Sequence, residues 1–83
     1  MIRAKKSLGQ NFLIDKNIIE KIVSITQIEN KNILEVGPGT GNLTLAIIKK
    51  KPKKLIVIEK DNQLASTLQN NFGEKIIVLN PII

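Results

Sequence analysis

The chain has 83 residues and a formal net charge of +6, from Lys+Arg 13 against Asp+Glu 7, with neither Cys nor His. A disulfide framework, a thiolate or imidazole metal site and histidine general-base chemistry are therefore excluded within these residues. The length suits one small domain at most, and no run approaches the roughly 18 apolar residues of a membrane-spanning helix.

The opening "MIRAKKSLGQNF" is basic but lacks the apolar stretch of about 7–15 residues that a secretory signal carries. A soluble, cytoplasmic protein is the expectation. In "DKNIIEKIVSITQI", 15–28, Ile18, Ile19, Ile22, Val23 and Ile25 recur at helical spacing behind a capping Asp15. The polar "ENKN", 29–32, reads as a turn. "NILEV", 32–36, is a short apolar run ending at glycine, and reads as a buried strand. "GNLTLAIIKKK", 41–51, suits a helix whose closing lysines complement the macrodipole and which Pro52 stops. "KLIVIE", 54–59, is the second strand. "DNQLASTLQNNFG", 61–73, is a helix with Leu64, Ala65, Leu68 and Phe72 on one stripe, capped by Asp61 and closed by Gly73. "KIIVL", 75–79, is the third strand.

This alternation predicts an α/β fold of the partial Rossmann-like kind. Three parallel strands with their helices, 32–83, follow an N-terminal segment and helix, 1–31. The first strand of a doubly wound sheet is central. Here one edge of strand 32–36 would lie open, although its Ile-Leu-Val composition is that of a buried strand rather than a protected edge. The expectation is an N-terminal piece of a larger domain.

The loop "EVGPGTGN", 35–42, follows a strand and opens a helix, the context that gives such loops meaning. A dinucleotide fingerprint would place its last glycine at position 42, which holds Asn42. A phosphate P-loop would place a lysine after Gly41, and none is there. An S-adenosylmethionine loop remains, with Gly37, Gly39 and Gly41 bare because a Cβ would meet the cofactor. A tight strand-to-helix turn that merely uses glycine is the other reading. Glu59 ends the second strand 22 residues after Gly37, the separation at which a carboxylate accepts from ribose hydroxyls. Glu35 ends the first strand, either orienting the loop and reaching a methionine ammonium through water, or simply tying the loop down.

The motifs together resemble a known family. "GQNFL" at 9–13, "EVGPGTGNLT" at 35–44 and "VIEKD" at 57–61 form, in this order, the pattern of the ribosomal RNA adenine dimethyltransferases. The resemblance runs along nearly the whole chain and implies a partial methyltransferase fold binding S-adenosylmethionine. It assigns Asn11, Leu13, Gly37 and Glu59 to the cofactor. The full-length enzyme would dimethylate adenine amines in small-subunit rRNA, on a pre-30S particle, as a monomer. The family's acidic residue after the third strand falls at Ile82, a departure at the adenine end of the site. Its Asn-Leu-Pro-Tyr type of catalytic motif is not among these 83 residues, so no catalytic residue is assigned and the chain alone is expected to be inactive. A large-subunit rRNA methyltransferase of the resistance type and a non-catalytic RNA-binding module are the alternatives. Gly9 before "QNFL" favours the small-subunit enzyme.

The charge has two readings, a polyanion partner or a lysine-rich composition. Lys49, Lys50, Lys51, Lys53 and Lys54 fall at the end of the sheet away from the ligand side, and read as a solvated cluster. Arg3, Lys5 and Lys6 fall on the cofactor side and are the candidate RNA contacts, a frayed basic tail being the alternative. Phe12 either faces the substrate pocket or packs beneath the N-terminal segment.

Overall fold

The computed structural model describes residues 15–81. The elements follow in chain order: helix α1 (Lys16–Ser24), strand β1 (Asn32–Val36), helix α2 (Asn42–Lys49), strand β2 (Lys54–Ile58), helix α3 (Asn62–Phe72), a 3-10 turn (Gly73–Lys75) and strand β3 (Ile77–Leu79). The strands form one parallel sheet in the order β1-β2-β3. Val36 pairs with Ile58, and Ile58 with Leu79, so all three strands finish level. The Rossmann-like expectation is met in strand number, direction and alternation.

The helix boundaries have local causes. The Asp15 carboxylate accepts from the backbone N–H of Asn17 and Ile18, satisfying two donors the first turn leaves open. α1 ends at Ser24, short of the expected residue 28. One turn beyond Val23 the stripe would need apolar residues, but Thr26 and Gln27 stand there. Leaving the helix lets Ile28 turn into the core instead. α2 closes through a left-handed Lys51 (φ 61°), whose N–H donates to Ile48 O, ahead of Pro52. α3 is capped by Asp61, which accepts from Leu64 N. β3 is shorter than the expected 75–79 because Gly73, with φ 57°, leads into the 3-10 turn before the chain extends at Ile76.

All the packing lies on one face of the sheet. Ile19 and Val23 of α1, Ala46 and Ile47 of α2 and Leu68 of α3 form a single cluster over Leu55 and Val57 of β2. Period-two alternation sends the intervening strand residues to the other face. There Leu34 and Val36 are 59% and 71% exposed, and Ile77 and Leu79 45% and 49%. Parallel sheets are ordinarily covered on both faces; among the described residues this one is covered on one. The outer edge of β1 pairs with no described strand. Lys49, Lys50, Lys51, Lys53 and Lys54 are all exposed at the end of the sheet where β2 begins.

A candidate cofactor-binding rim

Parallel strands that finish level put the turns after β1 and β2 side by side. The ladder continues past its last pairs: Gly37 N donates to Ile58 O and Glu59 N to Leu79 O, both at 2.9 Å. Adjacent strands lie about 4.8 Å apart, so the glycine loop and the strand-end acid, distant in sequence, are neighbours along one rim. In open α/β sheets the carboxyl ends of the strands are where ligands bind.

The three loop glycines do different work. All take positive φ, +67° at Gly37, +60° at Gly39 and +92° at Gly41, a region that L side chains rarely adopt. A Cβ on Gly37 or Gly39 would meet no atom of the described residues within 4 Å. The backbone there borders open space that a ligand can enter. A Cβ on Gly41 would come to 3.0 Å from Leu68 Cδ2 and 3.2 Å from Phe72 Cε2. Gly41 is buried, and its N–H is spent on Pro38 O. Glycine at 41 thus has a packing cause of its own: the bare backbone lets α2 start against α3. Phe72 packs against the core cluster, as its helix stripe implies.

Two carboxylates flank the loop. Glu59 is buried, and its Oε2 accepts from Asp61 N at 2.9 Å, which pins the side chain at the top of β2. Asn80 fixes the same bend from β3, its Nδ2 donating to Glu59 O at 2.7 Å and Lys60 O at 3.1 Å. Glu35 is also buried; its Oε1 accepts from the Thr44 hydroxyl at 2.6 Å, and its Oε2 is buried with no hydrogen-bond partner among the described residues. Burial pushes the Glu35 carboxyl up, and the Thr44 hydrogen bond opposes that rise. An orphaned buried oxygen is costly, and a cationic donor arriving at the rim would satisfy it. The open side of Gly37 and Gly39, the orphaned Glu35 oxygen and the Glu59 carboxylate together fit a ligand carrying both a cationic amine and a ribose.

Sequence reasoning had not singled out Thr44 or Asn80. The signal for Thr44 is a polar residue set within the apolar run of α2; Asn80 gives none, since its partners lie about 20 residues back in the chain. Asn11, Leu13, Phe12, Arg3, Lys5, Lys6 and Ile82 lie outside the described residues. No helix among the described residues is long and apolar enough to cross a membrane.

Comparison with known proteins bears on the same rim. The family model described as "Ribosomal RNA adenine dimethylase" matches residues 1–81. The chain is 62% identical over 79 residues to "Ribosomal RNA small subunit methyltransferase A" of Pelagibacter ubique, covering 95% of this chain and 30% of that protein. It is 51% identical over 69 residues to "Dimethyladenosine transferase 1, mitochondrial" of Vermamoeba vermiformis, covering 82% and 20% respectively. Among solved structures, a dimethyladenosine transferase from Plasmodium falciparum aligns with a TM-score of 0.68 at 29% identity, over 81% of this chain and 26% of that one. The 23S rRNA methyltransferase ErmE aligns with a TM-score of 0.70 at 27% identity, over 82% and 29%. The chain thus spans less than a third of the length of each of these relatives.

Proposed function

The chain belongs to the ribosomal RNA adenine dimethylase family, and from that premise we propose that it is the S-adenosylmethionine-binding, N-terminal part, residues 1–83, of an enzyme that dimethylates adenine amines in small-subunit rRNA. The observation that carries the cofactor reading is the rim itself. Among the described residues, no atom would meet a Cβ on Gly37 or Gly39, Glu35 just before them keeps a buried oxygen without a partner, and Glu59 follows the neighbouring strand.

Each described residue has a task on this reading. Glu59, pinned through Asp61 N, accepts the ribose hydroxyls. Glu35 accepts from the methionine ammonium. The bare faces of Gly37 and Gly39 let the methionine and ribose portions lie against the backbone. The family resemblance assigns Asn11 and Leu13 to the same cofactor. When bound, the cofactor supplies an electrophilic methyl group on its sulfonium. None of the described residues grips the adenine whose amine would take that methyl; such a base must be unstacked and held in line for transfer. Arg3, Lys5 and Lys6 are the proposed contacts to rRNA phosphates, within a pre-30S particle. We place the full-length protein in the cytoplasm as a monomer. The names of the relatives and Gly9 favour the small-subunit substrate over the large-subunit one, although ErmE shares the fold.

The test is an NMR titration of the 83-residue chain with S-adenosylhomocysteine. Weak binding is expected, with shifts confined to the turns after β1 and β2 and to residues 11–13. Binding that leaves Gly37, Gly39 and Glu59 unmoved would refute the site. Incubation with small-subunit rRNA and labelled S-adenosylmethionine should transfer no methyl group.

A further inference from the structure

We propose that Thr44 is a positioning residue for the cofactor's amino-acid end: its hydroxyl fixes one oxygen of Glu35 and so holds the other as the acceptor for a cationic amine. The inference rests on the cofactor reading above and deepens it.

A carboxylate at a strand end has two freedoms, rotation about its last bond and a choice of which oxygen faces outward. The Thr44 hydroxyl removes both. It is fully buried and donates to Oε1 at 2.6 Å, a short bond of the charge-assisted kind. The donor comes from the first turn of α2, the helix that the glycine loop opens, so the loop's own geometry sets the carboxylate's orientation. Oε2 is left buried and unpaired. A structural tie between β1 and α2 would use one oxygen and leave the other to solvent. Here the second oxygen is buried without a partner among the described residues, which costs stability unless a donor arrives.

The described surroundings of Glu35 are mostly apolar. A cavity of about 310 Å³ beside it is bounded by Ile22, Val23, Leu34, Val36 and Ile47 together with Thr26, and among the described residues Glu35 is the one titratable group on its lining. Among the described residues, burial pushes its pKa up and the Thr44 hydroxyl opposes that rise. Thr44 therefore acts on the ligand twice. It aims the carboxylate, and it favours the ionised form that an ammonium needs.

The test compares two ligands that share an adenosine portion. S-adenosylhomocysteine carries the amino-acid end; methylthioadenosine lacks it. Thr44→Val should weaken S-adenosylhomocysteine binding to the chain about tenfold, the loss of one hydrogen bond to a charged group, and leave methylthioadenosine binding unchanged. Affinity for S-adenosylhomocysteine rises as Glu35 ionises, so Thr44→Val should also move that rise to higher pH. Thr44→Ser, which keeps the hydroxyl, should restore both affinity and pH profile. Glu35→Gln should show the same ligand selectivity as Thr44→Val, because it sets an amide where the ammonium needs an acceptor. Equal weakening of both ligands by Thr44→Val, or failure of Thr44→Ser to restore binding, would overturn the positioning role while leaving the cofactor reading intact. If the unaltered chain binds neither ligand, the cofactor reading falls and this inference with it.

Discussion

Replacing Gly41 by alanine should unfold this chain more readily than replacing Gly39, although both sit in one loop and both take positive φ. An L-residue in the left-handed region costs about 1–2 kcal/mol, and this part is common to the two variants. The methyl group separates them. At position 39 it enters open space; at position 41 it arrives 3.0 Å from Leu68 Cδ2 and 3.2 Å from Phe72 Cε2. Leu68 is fully buried, so the few tenths of an ångström it must give are taken from packed neighbours. Forcing an extra methyl into such packing costs about 1–3 kcal/mol. Gly41→Ala is thus expected to lose about 2–5 kcal/mol and Gly39→Ala about 1–2 kcal/mol. For a domain of this size each kcal/mol moves the melting midpoint by about 4–8 °C, so the variants should differ on the order of 10 °C. Thermal unfolding followed by circular dichroism measures it. S-adenosylhomocysteine titration should rank them the other way, Gly39→Ala losing the more affinity per molecule folded. Equal destabilisation, or a harmless Gly41→Ala, would show that the α3 contact does not set the need for glycine at 41.

Glu35 gives the chain an acid-side preference. Its folded-state pKa is raised by burial, so between the unfolded value, about 4.3, and the folded one the native state binds more protons. Stability therefore falls as pH rises through that window and stays level above it. Relative to Glu35→Gln, the unaltered chain should lose unfolding free energy over that interval in urea titrations, and a difference that grows in its favour as pH rises would contradict the burial argument. Asn80→Ala removes two donations to the Glu59–Lys60 bend. It should cost about 1 kcal/mol and weaken methylthioadenosine binding, because Glu59 loses its fixed seat; an unchanged affinity would make Asn80 a structural clamp only.

The parts of this fold written in local signals were legible. Asp15 and Asp61 cap the helices expected of them, because capping involves residues two or three apart. The strands were legible as short Ile-Val-Leu runs between turn residues. The end of α1 was not: the apolar residues run on to Ile28, but the polar Thr26 and Gln27 break the stripe, and the helix stops where its buried face does. The candidate rim was half legible. The spacing of Gly37 and Glu59 pointed to a shared ligand, and the register of β1 on β2 supplies the neighbourhood. Gly41 looked identical to its companions, since no sequence pattern tells a glycine that borders open space from one that faces Leu68. Thr44 and Asn80 depend on where separate elements come to rest, and composition does not carry that.

The order of the strands in space repeats their order along the chain, and this bears on how the rim is assembled in time. β2 and β3 each pair with the strand made just before, and α2 and α3 lie between the strands in sequence, while α1 precedes them all. Contacts of short sequence separation close quickly, and chains emerging from a ribosome begin to organise from the N-terminus. Gly37 can meet Ile58 as soon as β2 has been synthesised, and β3 then has a finished edge to join. The two turns that make up the rim are thus among the first parts of the chain to find each other.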